Sequence, residues 1–192
     1  RQLVAGLGKI ALSSHDRIAL VPLGSSRNQP LPVGRGEDRF WHLLQLLSNY
    51  TTAQPAHSLE HDITRWLLSK PQRGLVILVT DLFGETLKDA FLALDRLRHS
   101  RHETAIIQIT DPSEGEAGSI GEYELNPLER GESLNALVDS ARQQQYAAAF
   151  QQYQRDISRY AREHQLTLQQ TQTATPVIDL LIKTLRSSQL LR

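Results

Sequence analysis

Arg73-Gly74-Leu75-Val76-Ile77-Leu78-Val79-Thr80-Asp81-Leu82-Phe83 is the stretch that decides the fold. Leu75 to Val79 is unbroken aliphatic sequence, the pattern of a strand covered on both faces, where a strand with one wet face would alternate. It is also far short of the ~20 residues that cross a bilayer. Further along, Thr104 to Thr110 (TAIIQIT) repeats the pattern and stops at Asp111-Pro112. Before it, Arg17 to Leu23 (RIALVPL) is rich in branched residues and ends in Gly24-Ser25-Ser26, a strand and a turn. Leu166 to Gln172 (LTLQQTQ) alternates and reads as a half-buried edge strand.

Helical periodicity fills the intervals. Leu3, Leu7, Ile10 and Ala11 share one face; Phe40, Leu43, Leu44 and Leu47 share another, with Asp38 as the expected N-cap. Ser58 to Leu68 and Thr86 to Leu97 follow the same logic. The longest helix expected runs from about Leu137 to His164, with Tyr146, Phe150, Tyr153, Ile157 and Tyr160 as a stripe laid against a sheet. Its Gln-rich outer side reads as a neutral solvated surface. Thr175-Pro176 opens a last helix, with proline in the first turn. Strands separated by helices predict right-handed crossovers and an α/β fold, a doubly wound, mostly parallel sheet flanked by helices. Residues 112–136 interrupt it with a loop and a hairpin insertion, turning at Glu129-Arg130-Gly131. One domain over residues 1–192 is expected.

Composition narrows the function classes. The 192 residues carry 21 Lys+Arg and 21 Asp+Glu, so the formal charge is zero, which argues against a dedicated nucleic-acid binder. That length can bury roughly 70% of its unfolded surface. Without cysteine there is no disulfide, thiolate nucleophile or iron–sulfur cluster, which fits a cytoplasmic setting. No segment is apolar enough for membrane insertion, and Lys9, His15, Asp16 and Arg17 interrupt any signal peptide. Arg1 is not a translation start, so a processed chain or a piece of a longer one is expected.

Ligands of such sheets sit beyond the carboxyl ends of the strands. Two strands end in acids, Thr80-Asp81 and Thr110-Asp111, which either collect a divalent cation or cap the next element. Ala5-Gly6-Leu7-Gly8-Lys9-Ile10-Ala11 matches a dinucleotide fingerprint, but too little chain precedes Gly6 for the required strand, so small residues on a helix face are expected. His57-Ser58-Leu59-Glu60-His61 matches H-x-x-E-H, two histidines one helical turn apart with a glutamate base, the pattern of a zinc hydrolase, though no third ligand is evident. No nucleophile elbow surrounds Ser119. The cluster Arg96, Arg98, His99, Arg101 and His102 has the charge to touch phosphate but lacks interleaved aromatics, and it reads as a solvated helix end.

The order of these segments resembles a family. The series is His15-Asp16-Arg17-Ile18-Ala19-Leu20-Val21, Leu31-Pro32-Val33-Gly34-Arg35-Gly36, the Arg73–Phe83 stretch, His102-Glu103, Asp111-Pro112-Ser113-Glu114, a Tyr-bearing long helix and Thr175-Pro176. It resembles the bacterial family called domain of unknown function 58, a relative of the von Willebrand factor A domain, over nearly the whole chain. The resemblance implies a divalent-metal site on three loops. Only the third-loop aspartate maps cleanly, onto Asp81; the second-loop threonine falls on His57 or Ser58, and the D-x-S-x-S motif is absent because the chain starts in the helix that should follow it. Residues upstream of Arg1 are therefore expected, and a site of Asp81 and Ser58 alone is incomplete for Mg2+.

The resemblance further implies a non-enzymatic protein-interaction module. Its expected partner is a MoxR-type AAA+ ATPase, and its role the assembly or activation of a protein complex. The partner face would comprise Asp81, His57, Asp111, Glu114 and Glu116. The alternatives are a zinc hydrolase using His57, Glu60 and His61, and a metal-free scaffold.

Overall fold

The computed structural model describes residues 1–24, 29–50, 58–83, 86–125 and 134–187. The chain divides into two compact units, one of residues 1–57 and 176–192, the other of residues 58–175.

The second unit holds the parallel sheet. Strand β3 (Leu75–Thr80) pairs with β4 (Glu103–Thr110) from Leu75↔Glu103 to Thr80↔Gln108, and β4 pairs with β7 (Thr167–Gln172) from Ala105↔Thr167 to Thr110↔Gln172. The order is β3-β4-β7, so the aliphatic run of β4 is central and its Ala105, Ile106 and Ile107 are fully buried. The alternating β7 takes an edge, as its pattern requires. Both connections step across the sheet in the same direction, and a right-handed crossover then places both helices on one face. These are α4 (Leu87–His99) and α5 (Ser140–Glu163). Ala90, Ala93, Leu94 and Leu97 bury one side of α4; Ile157, Tyr160 and Ala161 bury one side of α5. The two helices meet where Phe91 stacks on Tyr160, ring centroids 4.0 Å apart, and the Tyr160 hydroxyl donates to the Phe91 carbonyl at 3.1 Å. Burial, with Asp95 beside it, pushes that hydroxyl above the ordinary phenol range. Helix α3 (Leu59–Leu68) lies along α4, tied to it by a 2.7 Å ion pair between Glu60 and Arg96.

Helix starts in this unit follow the side chains. Ser58, Thr86 and Asp139 each accept a hydrogen bond from the backbone N–H three residues on. A short 3-10 turn, Pro112–Gly115, leaves β4 and leads to an antiparallel hairpin of β5 (Gly121–Leu125) and β6 (Leu134–Val138). The hairpin expected from sequence is present; its turn at 129–131 lies outside the described residues.

The first unit comprises α1 (Gln2–Ser13), β1 (Ile18–Leu20), β2 (Leu31–Gly34), α2 (Glu37–Asn49) and α6 (Val177–Ser187). β1 and β2 are antiparallel, so the RIALVPL segment joins a two-stranded ribbon and contributes only its first half. Leu31, Leu43 and Leu47 form the core, with Val4, Ile18, Leu20 and Phe40 packed around them. The expected N-cap Asp38 is displaced: α2 starts after Gly36, at φ 96°, and no side chain caps it. Gly6 and Gly8 lie inside α1 with no strand before them. A Cβ on Gly8 would sit 2.4 Å from a Leu43 methyl and one on Gly6 2.7 Å from a Leu181 methyl, so close packing explains both glycines.

Candidate functional site

The parallel register brings the ends of β3, β4 and β7 together, and the residues just past them build one face. After β3 the chain makes a tight turn. Thr80 Oγ1 accepts from the Leu82 N–H at 3.0 Å, and Asp81 Oδ1 accepts from the Phe83 N–H at 3.0 Å. Leu82 takes φ 60°, uncommon for a side chain of its size, and is 3% exposed. Two side chains from elsewhere hold this conformation. The Tyr153 hydroxyl donates to the Leu82 carbonyl, and Gln108 Nε2 donates to the Asp81 carbonyl at 3.0 Å. Gln108 has no exposed surface; its Oε1 accepts from Gln170 Nε2 at 2.8 Å, and Gln170 Nε2 also reaches Gln154 Oε1 at 2.7 Å. A chain of amides thus runs from α5 through β7 and β4 to the turn that carries Asp81.

Asp111, after β4, is spent locally. Its Oδ1 accepts from the Ser113 N–H at 3.0 Å and the Ser113 hydroxyl at 2.6 Å, and its Oδ2 from the Thr173 hydroxyl at 2.7 Å. The two hydroxyls, Ser113 first, hold the carboxyl down at about 2. Of the two roles open to an acid at this strand end, Asp111 fills that of a turn cap.

Glu114 lies in the following 3-10 turn and behaves oppositely. Burial is the main reason its carboxyl is held above the ordinary glutamate value, outweighing a backbone hydrogen bond, and the charges of Asp81 and Asp111 add to it. Its Oε2 is enclosed without a hydrogen-bond partner among the described residues. Beside the acids stands an aromatic wall from α5. Phe83 stacks on Phe150 at 5.7 Å and meets Tyr153 at 5.3 Å, while the Tyr146 hydroxyl donates to the Glu114 carbonyl at 2.8 Å. Phe83 and Tyr146 remain 36% and 43% exposed.

Asp81, Asp111 and Glu114 therefore come within electrostatic reach of one another, and Glu116 follows on the same loop, exposed. Ser58 is the N-cap of α3, its Oγ accepting from the His61 N–H at 3.2 Å. His57 lies outside the described residues. Glu60 bonds the Thr64 hydroxyl at 3.0 Å and pairs with Arg96, a bridge between helices. Among the described residues no group of three or more His, Cys, Asp or Glu side chains is placed to hold a metal ion. The donors here do not fit a resident Mg2+ by themselves. Both Asp111 oxygens and one of Asp81 already accept turn hydrogen bonds, and a hard cation needs six or more oxygens, waters included.

Sequence reasoning missed the amide chain and the aromatic wall. A glutamine inside the aliphatic run TAIIQIT was the available signal for Gln108, since a buried amide requires partners. The stripe on α5 was read as sheet packing throughout; Ile157 is buried as that reading requires, whereas Tyr160 packs on Phe91 of α4. Tyr146, Phe150 and Tyr153 reach instead to the carboxyl-end loops.

Comparison with curated proteins and with solved structures found no match. A family model described as protein of unknown function DUF58 matches residues 1–158, from α1 through most of α5, with β7 and α6 beyond it. The chain therefore belongs to the family of proteins of unknown function DUF58.

Proposed function

We propose that this chain is a non-enzymatic protein-interaction module whose docking face is the carboxyl end of β3 and β4. The observation that carries this reading is the composition of that face: acids held by backbone and hydroxyl donors, next to partly exposed aromatic rings. Interface centres are rich in aromatic anchors, and a carboxylate beside them selects a cationic counterpart. On this reading the finer fold is von Willebrand factor A-like and doubly wound, Asp81 is the residue presented to the partner, and the partner is a MoxR-type AAA+ ATPase in the cytoplasm. The warrant for that partner is the family resemblance alone.

The test is a pull-down of a co-encoded AAA+ ATPase by the intact protein, with and without Mg2+. Retention that is lost in Asp81→Ala and in Phe83→Ala supports the proposal. No retention, or retention indifferent to both substitutions, sinks it. The zinc-hydrolase reading instead requires stoichiometric zinc by elemental analysis. The scaffold reading requires that neither partner nor metal shift the melting temperature.

A further inference from the structure

A second feature lies at the opposite end of the same unit and is independent of the carboxyl-end reading. Where the C-termini of α3 and α4 pass the starts of β3 and β4, they form a shallow, open concavity of about 780 Å3. Lys70, Arg73, Arg96, His99, Arg101 and His102 line it, and Asp95 is the only acid among the described residues that do. The fold thus adds Lys70 and Arg73, from a different part of the chain, to the run of basic residues that ends α4. In a protein of zero formal charge, this is a strong local concentration of one sign.

A helix dipole accounts for only some of these cations. It favours positive charge within the last turn, which covers Arg96, Arg98 and His99 of α4. Arg96 is already paired with Glu60, and Arg98 lies 3.3 Å from Asp95. Lys70, Arg73 and Arg101 lie beyond the helix ends, exposed, and no salt bridge engages them among the described residues. Lys70 and Arg101 occupy equivalent places, each following a serine C-cap, with φ 53° and 62°. Glycine is the residue usually found there; His15 and Gln165 take the same conformation after α1 and α5, so what sets Lys70 and Arg101 apart is their charge.

The walls distinguish between anions. Leu67, Pro71 and Leu92 are apolar, Leu92 being 45% exposed, and Leu68 at the end of α3 is 76% exposed. Among the described residues no Phe, Tyr or Trp lines the concavity, and Trp66 meets the His102 ring at 5.2 Å, tilted by 37°. A nucleic acid would want stacking faces and an overall positive field. A free phosphate would have no use for the apolar wall. Carboxylates interspersed with an apolar side chain match both halves of the lining, because guanidinium groups bind carboxylates through paired hydrogen bonds.

We propose that this concavity docks a short acidic segment of a protein partner, with its carboxylates on Arg73, Arg101 and Lys70 and an apolar side chain against Leu67 and Leu92. The probe is a fluorescein-labelled oligoglutamate peptide carrying two central leucines, followed by anisotropy at low and high salt. Saturable binding is expected, weakened about tenfold or more by Arg73→Glu/Arg101→Glu and by replacing the leucines with serine. Arg73→Gln/Arg101→Gln, which removes charge without reversing it, should weaken binding by less. Lys9→Glu/Arg159→Glu, a charge reversal elsewhere, should leave it unchanged. Unchanged melting curves of the variants establish that they fold. Equal binding by Arg73→Glu/Arg101→Glu, equal loss in the distant reversal, tighter binding of oligothymidylate, or displacement by millimolar inorganic phosphate would each overturn the proposal.

Discussion

Replacing Gln108 by leucine tests how the carboxyl-end turn is held. The side chain has no exposed surface, and it joins the Asp81 carbonyl at 3.0 Å to Gln170 at 2.8 Å. Leucine has a similar volume, so the cavity contribution is small and the change is mainly in hydrogen bonding. Gln170 Nε2 keeps Gln154 Oε1 as an acceptor, so its loss is partial. The Asp81 carbonyl loses its side-chain donor. A buried group left without its partner costs about 1–3 kcal/mol, and the apolar gain of leucine offsets part of that. A net loss of about 1–2 kcal/mol is expected, which at this chain length lowers the melting temperature by roughly 2–8 °C. Urea denaturation gives the energy, and amide exchange locates it. Among the described residues the Leu82 and Phe83 N–H groups bond within the turn, to Thr80 and Asp81, and should exchange faster in the variant. Adding Gln170→Leu should cost less than the sum of the two single losses, because the pair shares a bond. A melting temperature within about 1 °C of the parent, with unchanged exchange at Leu82 and Phe83, refutes the account.

Glu114→Gln should raise the melting temperature at neutral pH. The folded carboxyl is held above its ordinary value, so its charged form weakens the fold; the difference should shrink as acid protonates the parent, and thermal scans against pH read it. Asp111→Asn should show the reverse sign. A carboxyl held at about 2 contributes stability above its unfolded value of 3.8 and loses it as pH falls toward 2, so parent and variant melting curves should converge in that window. Gly8→Leu should destabilise the first unit by about 1–3 kcal/mol through overpacking against the buried Leu43, read by chemical denaturation; a neutral result would mean that α1 and α2 separate easily.

What sequence made legible follows the range of the interaction. β3 and β4 were found within one residue of each start because an aliphatic run favours a strand, but cover on both faces holds only for β4: β3 is an edge of the described sheet, with Leu78 buried and Leu75 exposed. β7 was found as an edge because alternation records one wet face. β2 was missed as a strand since Pro32 removes a donor, which an antiparallel ribbon tolerates and a central strand does not. Asp38 was misplaced as a cap because Gly36 supplies the turn by its backbone alone. At the site, Asp81 and Asp111 were visible as acids ending strands, but their division of labour was not. That division depends on Thr173, 62 residues from Asp111, and on Gln108, 27 residues from Asp81. The basic concavity was half visible for the same reason: residues 96–102 are adjacent in sequence, and Lys70 and Arg73 join them only through the fold.

The placement of unfavourable features points the same way as the chemistry. In the sheet unit, the middle of β4 is ordinary buried aliphatic structure that asks nothing of its surroundings. The departures lie at its two ends: Leu82 at φ 60° and the enclosed Glu114 Oε2 at one, Lys70, Arg101 and Gln165 at φ 53°, 62° and 55° at the other. Conformations of this kind persist only when neighbouring contacts over-determine them. At the carboxyl end Gln108 and Tyr153 do so; at the amino end the serine caps do, with Ser69 and Ser100 donating to the Trp66 and Leu97 carbonyls. Acids at one end and, among the described residues, free cations at the other are what two separate docking faces would require. Stabilising substitutions at either end should therefore weaken association at that end and leave the other unchanged.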